Sequence, residues 1–188
     1  MKIMVRLCVL EMINQKIIEE KQYAVIAYGL ELLLSSVVNI LSILFIGAIV
    51  NRAGEIILLL LVSIPLQSFG GGYHCNTHLR CWALTTGGYL IAVLGAVYLP
   101  VEVLLGAALI SMYSFLKFSP VENIKAPFGD KFKNKMKKVV RIVYFIEIII
   151  SLTFLLFKSE GAQFILAGIS LEGFSVLCAE YKRIREKE

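Results

Sequence analysis

The sequence predicts an all-α protein, a polytopic membrane helical bundle of about six membrane segments behind an N-terminal amphipathic interfacial helix. Three observations predict it. The 188-residue chain is 58% apolar and only 18% charged, where soluble domains average about 25% charged. The charges are segregated, so that residues 23–50 hold a single one, Glu31. Six apolar runs approach the roughly 20 residues that cross about 30 Å of hydrocarbon. A buried helix of a soluble domain explains one such run, not six.

Within 1–22, Ile3, Leu7, Leu10, Asn14 and Ile17 recur at three- and four-residue steps among Lys, Arg and Glu. That spacing predicts an amphipathic helix in the membrane interface, either anchoring the first span or forming part of a groove for a peptide helix. The segment lacks the apolar core and small-residue cleavage site of a signal peptide. The expected spans are 25–50, 56–69, 82–99, 101–116, 139–157 and 162–179. The second has only 14 residues, about 21 Å of helix, so it must borrow the glycines after it, meet thinned membrane, or enter without crossing. Pro65 and the Gly70-Gly71-Gly72 run predict a broken segment where it reaches the interface. Pro100 is placed to start the fourth span after a tight turn.

Seventeen of the 19 Lys and Arg residues fall in one alternating set of connections: 1–22, the segment around Arg80, the 117–141 linker and the tail from Lys182. Arg52 and Lys158 are in the other set. The positive-inside rule then places both termini, the 70–81 segment and the basic linker in the cytoplasm of a multi-pass cell-membrane protein. Cytosolic thiols are kept reduced, so Cys75 and Cys81 are expected as thiols or ligands rather than a disulfide. Cys8 and Cys178 read as small packing side chains. The linker's basic residues, Lys125, Lys131, Lys133, Lys135, Lys137 and Lys138 among them, suit anionic lipid headgroups or a landing surface for an acidic peptide. Nucleic acid is not an expected partner, because no recognition fold accompanies the charge. Glu31, Glu147 and Glu172 lie within apolar runs and are read as sheltered structural groups.

Chemistry concentrates in His74, Cys75, His78 and Cys81, which include both histidines and two of the four cysteines. A thiolate paired with a histidine is a nucleophile for acyl transfer. The same four side chains are types that bind zinc tetrahedrally, and packing is the third reading. Arg80 adds positive potential beside Cys81. In one unbroken helix His74 and Cys81 would stand about 10.5 Å apart along the axis, so cooperation requires the chain to bend between them, or a second subunit to supply one partner.

Gly71-Gly72-Tyr73-His74-Cys75-Asn76-Thr77-His78-Leu79-Arg80-Cys81 and Ser119-Pro120-Val121-Glu122-Asn123 resemble the two recurrent segments of the accessory gene regulator B family, the membrane endopeptidases of peptide quorum sensing. The length, amphipathic start and succession of apolar runs agree, making 1–188 a single domain of that kind. The resemblance implies catalytic roles for His74 and Cys81, with Arg80, Glu122 and Asn123 as candidate supports. Cys75 stands where the family often has a small residue, and Leu66 and Gln67 where many members carry an arginine before the glycines.

What the resemblance implies is cleavage of an AgrD-like signal propeptide with an acidic tail, an acyl-enzyme thioester on Cys81, and closure of a thiolactone or lactone ring. The 117–141 lysines would attract that tail. No cofactor or metal is expected on this reading. Expected partners are the propeptide, membrane lipids and a second copy of the chain, most simply in a homodimer. The other readings are a metal-binding membrane transporter that uses the His/Cys cluster and a non-catalytic membrane scaffold.

Overall fold

The computed structural model describes residues 2–73, 75, 77–121 and 129–185. Among them the regular elements are helical: α1 (Lys2–Asn14), a 3-10 turn (Glu20–Gln22), α2 (Tyr23–Ile49), α3 (Ala53–Gly70), α4 (His78–Tyr98), α5 (Val101–Phe118), α6 (Asp130–Leu156) and α7 (Gly161–Arg185). Six of them, from the 3-10 turn with α2 through α7, are long and apolar enough to cross a membrane. The chain divides into two compact units, Met1–Ile43 and Leu44–Glu188.

In the first unit the amphipathic helix is shorter than the 1–22 the spacing predicts. It stops at Asn14, and Lys16 takes a left-handed φ of 58°, a conformation that cannot continue a right-handed helix. The next helical segment starts afresh at Glu19, whose backbone N–H donates to the Gln22 side chain at 2.9 Å, as in a capping box. Ile3, Leu7 and Leu10 of the expected stripe are exposed, as an interfacial face requires.

In the second unit α3 corrects the 56–69 expectation. It gains Ala53–Glu55 at its start and Gly70 at its end, giving 18 residues, about 27 Å, enough to span with little thinning. Pro65 does not break it: the helix runs on through the proline for five more residues. A missing N–H removes one hydrogen bond, and Leu66, buried one position later, holds the segment in the packed interior. The break comes at Gly71, φ +72°.

Helix α7 is the hub, packing against α3, α4, α5 and α6. Small residues allow it. A Cβ at Gly173 would lie 2.2 Å from Ser111 Cβ and Oγ on α5, and one at Gly168 would lie 3.2 Å from Val62 on α3. Without a hydrophobic drive between helices in lipid, such close approach supplies much of the packing energy. The hub also buries polar groups. Glu172 on α7 is 3% exposed and Glu147 on α6 is 7% exposed; each has one carboxyl oxygen without a hydrogen-bond partner among the described residues. Glu31 is half-buried on α2. Tyr144 is better served, donating to the Ala108 carbonyl at 2.9 Å. At 27 residues, about 40 Å, α6 is longer than the hydrocarbon is thick, which leaves room for its lysine-bearing first turns outside.

Candidate active site

The site grows from the end of α3. The last carbonyls of a helix have no partner within it, and here the tertiary fold supplies partners. Gly71 N–H closes onto the Gln67 carbonyl at 3.0 Å. The Gly70 carbonyl accepts twice, from the Ser119 hydroxyl at 2.8 Å and from the Val121 N–H at 3.0 Å. Gly71 has a left-handed φ, and a Cβ there would lie 3.0 Å from the Val121 carbonyl oxygen, so this contact requires glycine. The chain then crosses to α7, where Tyr73 N–H donates to Ser175 Oγ at 3.0 Å. Lys182, two turns further along α7, sits with its ammonium 5.3 Å from the Tyr73 ring centroid. Gly70–Tyr73 is thus a strap fixed on one side to Ser119–Val121 and on the other to α7.

Helix α4 begins one turn before Cys81. Thr77 is extended at φ −131°, ψ 144°, and caps the helix: Arg80 N–H donates to Thr77 Oγ1 at 3.4 Å, and Cys81 N–H to the Thr77 carbonyl at 3.0 Å. The chain therefore does not run as one helix across 74–81. Cys81 is half-buried in the first turns of α4. Arg80 is exposed in the same first turn. Cys75 is also half-buried, and burial pushes its thiol above the usual range; the nearby Cys81 adds to the rise, while Lys182 and Arg80 oppose it.

His74, Glu122, Asn123 and Lys125 lie outside the described residues. Lys131, Lys133, Lys135, Lys137 and Lys138 occupy the first turns of α6. Lys131, Lys135 and Lys138 share one face there, and Lys133 and Lys137 another. Among the described residues no three His, Cys, Asp or Glu side chains come together as a metal site, and the four-residue set with His74 is not described as a whole.

A groove of about 1180 Å³ opens beside the strap. Gln67, Tyr73, Lys182 and Arg185 line its polar end, and α4, α5 and α7 supply apolar walls that include Ile91, Leu104 and Phe174. Ser119, Ser175 and Lys182 are the residues at this site that sequence reasoning did not single out. Ser119 stood in the second quoted segment without a role. Nothing in the pattern distinguished Ser175 from the other serines of the apolar helices.

A family profile described as Accessory gene regulator B matches residues 7–176. AgrB-like protein 2 of Clostridium perfringens (strain 13 / Type A) is 26% identical over 170 residues, covering 80% of this chain and 78% of its own length. An AgrB-like protein of Clostridium perfringens (strain SM101 / Type A) is 27% identical over 158 residues, covering 74% of each chain. No solved structure matches.

Proposed function

This chain belongs to the accessory gene regulator B family, and from that premise we propose that it is a membrane-embedded cysteine endopeptidase that cuts a quorum-sensing propeptide and closes its ring. The whole chain, 1–188, acts as one peptidase domain. The observation that carries the reading is the pair of hydrogen bonds that the Gly70 carbonyl accepts from Ser119 and Val121. It ties the residue just before the first of the two resembling segments to Ser119 and Val121 of the second.

The Cys81 thiolate attacks the scissile carbonyl while His74, protonated, gives its proton to the leaving amine. The C–N bond breaks, the C-terminal fragment leaves, and the rest of the peptide stays on Cys81 as a thioester. A cysteine or serine within that bound peptide then attacks the thioester carbonyl, its proton passes to His74, and the Cys81 thiolate is restored as the ring closes. Exchanging a thioester for a thiolactone conserves most of the bond's free energy. Holding the internal nucleophile close makes the second attack effectively unimolecular and favours it over water.

The lysines of α6, with Lys125, attract the acidic tail and lose their hold on it once it is cut away. Both termini, the 70–81 segment and the basic linker face the cytoplasm on this reading, which the partition of basic residues supports. The working form is a homodimer. The deciding experiment reconstitutes the full chain in liposomes with the propeptide encoded beside its gene. Cys81→Ala abolishes cleavage with membrane insertion intact, and Cys75→Ala keeps substantial activity. Full cleavage by the Cys81 variant rejects the assignment.

A further inference from the structure

We propose that the groove walled by α4, α5 and α7 holds the acyl chains of an anionic phospholipid, whose headgroup is bound by Lys182 and Arg185. The inference goes beyond the peptidase reading and does not depend on it. The groove, about 1180 Å³, is lined on the α4 side from Ala83 to Leu99. That stretch is about 24 Å of helix, longer than one leaflet's half of the roughly 30 Å of hydrocarbon. Small residues in a membrane usually bring one helix close against another. Here a Cβ at Gly87 would meet nothing within 4 Å among the described residues, so this part of the wall faces the groove and no neighbouring helix.

Charge at one end of the groove identifies the occupant. Lys182 and Arg185 line it where α7 finishes, beside Gln67 of α3 and Tyr73. Residues 180–185 carry three cations against one acid, Glu180, and Arg183 engages that acid at 3.0 Å. Aromatic rings hold both lining cations at the mouth. Lys182 Nζ is 5.3 Å from the Tyr73 ring centroid, and Arg185 Cζ is 5.5 Å from that of Tyr181. A guanidinium beside a ring still presents the planar fork of donors that phosphate oxygens match. The far end, at Leu99 and Leu104, adds no charge to the lining. Glu172 is the one acid in the wall; it is only 3% exposed and lies about 15 Å along α7 from Lys182. An amphiphile with an anionic head and a long apolar tail matches this polarity. A flexible tail also follows a wall where glycines alternate with Leu84 and Ile91. A rigid peptide helix would forfeit contacts across those gaps.

The test takes the full chain in detergent micelles, adds phosphatidylglycerol and phosphatidylcholine of the same acyl chains in equal amounts, and reads bound mass by native mass spectrometry. The wild type is expected to retain one phosphatidylglycerol per chain, preferred about tenfold to thirtyfold over phosphatidylcholine, the scale that two near-surface cations allow. Lys182→Gln combined with Arg185→Gln is expected to bring the two lipids to within about twofold of each other. Gly87→Leu, which puts a side chain into the open wall, is expected to lower retention of both lipids without changing their ratio. If the double variant fails to insert, Arg185→Gln alone and Gly87→Leu decide, the first by the lipid ratio and the second by total retention. Equal retention of the two lipids by the wild type overturns the proposal. An undiminished preference in the glutamine variants, or unchanged retention in Gly87→Leu, overturns it as well. A peptide helix or a second copy of the chain in the groove would show as an adduct of protein mass that Gly87→Leu removes and phosphatidylglycerol does not displace, and that result also rejects the lipid. No propeptide enters the measurement, so its outcome is independent of what the chain cleaves.

Discussion

The Ser119 hydroxyl donates to the Gly70 carbonyl oxygen at 2.8 Å across 49 positions of chain. That oxygen belongs to a helix end, which inside a membrane protein must find a partner away from water. By taking both Ser119 and Val121, Gly70 fixes where α3 stops and in which direction the following residues leave.

The backbone at Gly71 is expected to be intolerant. Gly71→Ala forces a Cβ onto a left-handed residue and against Val121, and should cost about 1–3 kcal/mol of stability. Gly106, on α5 with nothing within 4 Å of a Cβ, is the control; Gly106→Ala should be neutral or gain up to about 1 kcal/mol from helix propensity. Thermal unfolding in one detergent, run on both variants, checks the contrast. Equal midpoints reject it.

Gly173→Ala should be worse than an ordinary overpacked core. The added carbon would lie 2.2 Å from Ser111 Cβ and 2.8 Å from its Cα, so backbone must separate, where a movable side chain would typically cost about 1–3 kcal/mol. The expected result is a sharp loss of monodisperse protein on size-exclusion chromatography, not rescued by Ser111→Ala, since alanine keeps the offending Cβ.

Glu172 is expected to accept loss of its charge but not reversal. Glu172→Gln preserves shape and hydrogen-bonding capacity and should stay within about 1 kcal/mol, whereas Glu172→Lys buries an unpaired ammonium and should lose several. Insertion yield and thermal midpoint distinguish the two. A Lys variant as stable as wild type would mean that α7 is not packed as described.

Cys75 should label slowly near neutral pH. Burial lifts its thiol above the usual range, and a raised value means less thiolate at any pH below it, so alkylation climbs only at more alkaline pH than for an ordinary exposed cysteine. Lys182 works against that lift, and Lys182→Met should therefore slow labelling of Cys75 further. Mass-mapped alkylation against pH reads both effects.

Much of the fold was legible because long apolar runs have few ways to satisfy their backbones in lipid. All six spans sit where the runs do, with boundaries displaced by several residues. The errors are local. The sequence-based reading ended the amphipathic helix at 22 because periodicity is blind to a single left-handed residue such as Lys16. It put the interruption of α3 at Pro65 together with the glycines, when one missing N–H is outweighed by packing and only Gly71 turns the chain. At the site, the thiols and Arg80 could be found from residue type, and the glycine run announced close approach without saying to what. Ser175 was invisible, because its part depends on α7 passing within hydrogen-bond reach of Tyr73, and no local pattern encodes a contact of that range.

The placement of α7 has a consequence for inheritance. One helix holds the hub glycines, a buried acid and the hydroxyl that receives Tyr73, so its alleles should be as costly as those in the cysteine segment itself. On the proposed function, a random-mutagenesis screen scored for lost propeptide cleavage would then gather hits in two clusters, one at 70–81 and a second along 161–182. The outer positions of α5, such as Leu109 and Ile110, which are exposed, should accumulate silent changes between lineages while the face of α7 stays fixed.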